Sequence, residues 1–74
     1  MTLLETLEQE FHTLLIDANR MHWKNLELEL LVQYANTEKK IWEDRQLEYA
    51  VNNMTRIVEV AESLYRLKEE DKTL

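Results

Sequence analysis

Large apolar residues recur at steps of three and four through the first half of the chain: Leu4, Leu7, Phe11, Leu14, Ala18, Met21, Leu28, Val32 and Ala35, with Asn25 the one polar interruption. This spacing gathers them on one face of an α-helix. Its seven-residue repeat suits a seam against a second helix. Within it, the segment WKNLELELLVQYA (Trp23 to Ala35) alternates Leu and Glu, which by itself reads as a half-buried strand. Leu and Glu are strong helix formers without β-branching, and the alternation lies inside the longer repeat, so helix is expected throughout. Thr2 and Glu5 have capping-box spacing at its start. Asn25 in the seam either fixes register or marks a wet stretch of it.

A second stripe begins at Leu47 and continues through Ala50, Met54, Ile57, Ala61 and Leu64, widened by Val51, Val58 and Tyr65 on one side and Val60 and Leu67 on the other. That pattern is a helix with a broad buried face, ending in the charged segment KEEDKTL. The two stripes differ in register. The first leads at positions 4, 11, 18, 25 and 32, and its extension falls on 46, whereas the second leads at 47. Between them, Asn36 offers a left-handed helix end and Thr37 a cap for the next helix. The expected architecture is therefore all-α: a coiled-coil-like antiparallel hairpin in a single domain, with helix 1 over about 3–35, a turn at about 36–37 and helix 2 over about 38–70. Each helix would be roughly 48 Å long at 1.5 Å per residue. A single continuous helix that dimerises, the slip being a discontinuity in its coiled coil, is the alternative.

Helix 1 has apolar residues to spare. At 100° per residue, Ile16, Trp23, Leu26, Leu30 and Tyr34 gather on the side away from Leu28, Leu31, Val32 and Ala35. A hairpin partner covers only one of these sides. Five large side chains on the other, a Trp among them, make a candidate partner-binding face. Trp42 and Tyr49 recur seven apart near the turn; they either extend that face or pack on the turn.

Composition sharpens this picture. The 74 residues include no Gly, Pro or Cys. Without Gly or Pro a β-rich fold loses its usual turns, and without Cys there is neither a disulfide nor a thiolate metal site. So short a chain barely offsets its own ordering entropy, so a core completed by a partner chain is expected. The net charge of −6 argues against nucleic acid and anionic membranes, and Lys39-Lys40 with Arg45 is the only dense basic cluster. No apolar run approaches the length of a membrane span. The acidic opening lacks the bases of an export signal, so a cytoplasmic location is expected.

The residues that could carry chemistry are few. His12 and His22 are ten apart without a metal-binding motif, Ser63 is a lone serine in a helix, and Glu43-Asp44 and Glu69-Glu70-Asp71 read as solvated faces. No catalytic residue, metal or cofactor is expected.

The opening MTLLETLEQEF, with Leu4, Leu7 and Glu8, resembles that of the YscE-like family of small co-chaperones of bacterial type III secretion. The likeness continues in a second helix entered by an aromatic at Trp42 and running through LEYAVNN and RIVEVAESLYRL. The resemblance implies a non-enzymatic cytoplasmic protein that pairs with a larger chaperone of tetratricopeptide-like helical repeats. Through it, the protein would help keep a needle subunit soluble before export. A homodimeric four-helix bundle with a regulatory or structural role is the alternative, and the protein alone is expected either to be marginally stable or to self-associate.

Overall fold

The computed structural model describes residues 2–73, with side chains through Glu70. Its described residues form three α-helices and no strand: α1 (Leu3–Ala18), α2 (Leu28–Asp44) and α3 (Glu48–Thr73), with a 3-10 turn, Met21–Asn25, in the connector between α1 and α2. The chain is all-α as expected, but the single long first helix is not formed. The expected break at 36–37 lies in the middle of α2, and the real breaks fall on either side of it. The side chains of Asp71 to Leu74, the end of the charged tail, lie outside the described residues.

Each break follows the same hydrogen-bond logic. Asn19 takes a left-handed conformation, φ 57° and ψ 45°. Its N–H donates to the Ile16 carbonyl at 3.0 Å, and the Arg20 N–H donates to the Leu15 carbonyl at 2.8 Å. This Schellman arrangement satisfies carbonyls that the end of a helix leaves open. Gln46 repeats it with φ 60°: its own N–H reaches the Glu43 carbonyl and the Leu47 N–H the Trp42 carbonyl, both at 3.0 Å. In a chain without glycine, Asn and Gln supply the two left-handed positions. Asn36 and Thr37 stay helical, and the Thr37 hydroxyl donates to the Gln33 carbonyl one turn back, at 2.9 Å.

The break at Asn19 is what brings Trp23 inside. In an unbroken helix Trp23 would face away from the seam. On the 3-10 turn it is 3% exposed and belongs to the core cluster with Leu15, Leu31, Ala35, Met54, Ile57 and Ala61. Fully burying so large an aromatic surface is worth several helical hydrogen bonds lost in the connector. The break also removes Asn25 from any seam; it ends the 3-10 turn, exposed.

α3 is the common support for the other two helices. Asp17 and Ala18 share a small cavity with Ala50 and Met54, while Glu10 pairs with Arg56. Glu5 and Glu8 border a groove with Leu64 and Lys68. α1 therefore runs antiparallel to α3. Trp42 lies by Ala50, and Leu28 and Leu31 by Leu64, so α2 runs antiparallel to α3 as well. Two helices in the same direction need a connection that travels back, and residues 19–27 provide it. Arg20 holds this return segment to α2, bonding Glu38 twice (Nε to Oε2, 2.8 Å; Nη2 to Oε1, 3.1 Å) and the Asn19 carbonyl once. The second stripe is buried at its centre, at Met54, Ile57, Val60, Ala61 and Leu64, whereas Leu47 lies before α3 and is exposed, as is Tyr65.

Candidate functional site

The five residues expected to bind a partner do not form one face. Trp23 is a core residue, so its place in a binding surface is corrected by its burial. Leu26 is half-buried against the same core. Ile16 is exposed on α1, a separate element from the helix that carries Leu30 and Tyr34. The correction has a single cause: a helical angle of 100° per residue holds only along an unbroken helix, and the chain breaks between Ile16 and Leu30.

Leu30 and Tyr34 do remain together, on the outer side of α2, at 41% and 48% exposure. They are joined by a residue that the expected turn had assigned to the other helix, Ile41, at 43%. With Thr37 between them the steps are four, three and four, one continuous stripe on α2. The Thr37 hydroxyl is turned to its own backbone, which leaves its methyl for the stripe. Continuing the three-four count past residue 36 would have found Ile41. The stripe is braced from beneath, since the Tyr34 ring stacks on Trp23 with centroids 6.5 Å apart and planes 27° apart. Trp23 in turn meets the His22 ring edge-on at 6.2 Å.

Trp42 packs at the second turn, half-buried, with the Arg45 guanidinium 5.7 Å above its ring. Its Nε1 is buried without a hydrogen-bond partner, and it borders a cavity of about 150 Å³ with Asp17, Glu38 and Asn53. Tyr49, expected beside it, is 75% exposed.

A larger groove, of about 720 Å³, opens between α1, the connector, the start of α2 and the second half of α3. Its floor includes Phe11, Trp23, Leu31 and Leu64. Glu5 and Glu8 stand along its α1 side, and Lys24 and Lys68 come from the connector and α3.

Two ion-pair centres fix the frame around these surfaces. Arg56 bonds Glu10 through Nε at 2.6 Å and Nη2 at 2.9 Å, and Glu59 through Nη1 at 3.2 Å. The hydrogen bonds from Arg56 hold the Glu10 carboxyl below its ordinary value, and those to Glu10 and Glu59 raise Arg56. The bond to Glu38 likewise raises Arg20. Each shift strengthens the charged form that the pair uses.

Among the described residues no group of three His, Cys, Asp or Glu is placed to hold a metal ion, and no helix is long and apolar enough to cross a membrane. The surfaces describe a small helical chain with an exposed apolar stripe on one helix and an apolar groove elsewhere. No family model matches the chain, and neither curated proteins nor solved structures give a match.

Proposed function

We propose that this chain is a non-enzymatic protein-binding adaptor that seats the outer face of α2 on a larger helical partner. The observation that carries the reading is the stripe Leu30, Tyr34 and Ile41, three large apolar side chains exposed in register on one helix. Scattered exposed apolar residues are ordinary, but an in-register row on a rigid helix is how helical interfaces are built. The core of the partnership would be completed across that row. The resemblance of the opening segment and of the stretch from Trp42 through RIVEVAESLYRL to YscE-like co-chaperones supplies the particular form of the reading: a partner of tetratricopeptide-like repeats, and through it a type III secretion needle subunit held soluble in the bacterial cytoplasm. With three helices in each chain, two copies do not make a four-helix bundle, so a homodimer would need a different arrangement from the one the sequence suggested.

The experiment is co-purification from the native host with a tagged chain and two variants, Tyr34→Glu and Ile41→Glu. Both positions are exposed, so far-UV circular dichroism is expected to match the wild type. The wild type should retain a helical-repeat protein, identified by mass spectrometry, and both variants should lose it. Undiminished retention by both variants would remove the α2 face from the reading. Trp23→Glu is unsuitable as a test, because a charge at a buried core position unfolds the chain whatever its partners.

A further inference from the structure

We propose that the partner seated on α2 presents an apolar helical row bracketed by two basic residues about 25 Å apart, one to meet Glu27 and one to meet Asp44. This rests on the adaptor reading and gives the partner its chemistry.

The row on α2 does not stop at its apolar residues. The same spacing carries it back one turn to Glu27 and on one turn to Asp44. The full row is Glu27, Leu30, Tyr34, Thr37, Ile41 and Asp44, at steps of three, four, three, four and three. All six residues are exposed. The helix is unbroken from Leu28 to Asp44. The Glu27 carbonyl accepts the Leu31 N–H at 3.0 Å, so Glu27 already stands on its first turn.

Neither acid is tied down by the fold. Glu27 occupies the N-cap position, yet its side chain accepts no cap hydrogen bond. Asp44 is the last residue of α2, at the negative end of the helix dipole, where a carboxylate is opposed rather than favoured. The last turn of α2 holds no base to offset it. Among the described residues no ion pair engages Glu27 or Asp44. Lys40 lies off the row, and the Arg45 guanidinium is drawn over the Trp42 ring. Two uncompensated acids at the ends of an apolar row are completed by a base at each end of the row that docks on it.

The same bracket argues against a second copy as the occupant. Two α2 rows laid antiparallel would set Glu27 level with Asp44 of the other copy at both ends. Two laid parallel would set each acid beside itself. Like charges meet either way, so the chain that fits is a different one, basic where this one is acidic.

The test uses three synthetic peptides that share one apolar row at the spacing of α2 and differ only at its two ends, with Lys, Gln or Glu at both. Each is titrated into the isotope-labelled full chain, with binding followed by amide chemical shifts. The Lys-ended peptide should bind about tenfold more tightly than the Glu-ended one, with the Gln-ended peptide between them. Its shifts should centre on residues 27–44. In the double variant Glu27→Lys and Asp44→Lys the order should reverse. Self-association gives a second readout. Glu27→Lys alone puts a base against an acid at both ends of an antiparallel self-pair. Sedimentation should therefore show tighter association for it than for Glu62→Lys, which changes the net charge equally at an exposed position of α3. Absence of binding by the Lys-ended peptide, equal affinities for the three, an unreversed order in the double variant, or equal association of the two single variants would each overturn the proposal. So would a wild-type dimer through α2 that excludes the peptide. The adaptor reading is judged apart: if Tyr34→Glu loses the helical-repeat protein while the double variant keeps it, that reading stands and the basic bracket falls.

Discussion

At the scale of single residues, two positions bear most of the fold. Trp23 wedges the connector between α1 and α2, and its replacement by Ala should cost about 3–5 kcal/mol in urea unfolding. A Trp23→Phe variant should recover much of that loss. Gln46 holds a left-handed backbone that costs an ordinary side chain roughly 1 kcal/mol. Gln46→Gly should therefore raise the melting temperature, although the added freedom of the unfolded chain takes back part of the gain. At the first helix start, the Thr2 hydroxyl accepts the Glu5 N–H at 3.2 Å and donates to Glu5 Oε1 at 3.3 Å. Thr2→Ala should lose about 1 kcal/mol, read from the same unfolding curves.

At the scale of elements, α1 is attached to α3 by its apolar face and by the Glu10–Arg56 pair. The Glu10 carboxyl sits below its ordinary value of 4.5 in the folded chain, so its contribution to stability is fully present above that pH and is lost as the pH falls through the folded value. Arg56 and Arg20 are shifted upward from the ordinary arginine value, so they stay charged over the whole working range. Between neutrality and about pH 5 the pair should therefore leave stability unchanged. Further acidification should loosen α1 first, and Glu10→Gln should remove that part of the pH dependence in hydrogen-exchange measurements on residues 5–15. The same elements show what was legible in the sequence. Helix was readable from the three-four spacing outside the two breaks, and so was the centre of the buried stripe of α3, Met54 to Leu64, because nothing interrupts that helix; Leu47 and Tyr65 of the same stripe are exposed. The chemistry of a glycine-free helix end was readable too, in that Asn is its natural residue, but the chain offers Asn19, Asn25 and Asn36 as candidates. The choice among them depends on the burial of Trp23 against α2 and α3, a contact that no local pattern contains. The binding face suffered from the same ambiguity: Leu30 and Tyr34 survived because α2 is continuous, and Trp23, Leu26 and Ile16 separated because the helix before it is not.

At the scale of the whole molecule, the radius of gyration is 12.8 Å and the longest extent 44 Å. A compact chain of this length would have a radius near 11 Å. The excess reflects α3, whose 26 residues span roughly 39 Å at 1.5 Å per residue and outreach both neighbours. Exposed Leu30, Tyr34 and Ile41 on so small a body, opposed by a net charge of −6, should make self-association weak in dilute buffer and stronger as salt screens the repulsion. Sedimentation velocity should show this trend for the wild type and its loss in Tyr34→Glu. The antiparallel seating of α1 on α3 has a further consequence, in time rather than in space. Arg56, which clamps Glu10, follows it by 46 residues. At about 5–20 residues per second of synthesis, α1 waits for seconds on the ribosome before its support exists. Throughout that interval its apolar face is uncovered, and four acidic side chains without a Lys or Arg among them are what keeps one nascent chain from another.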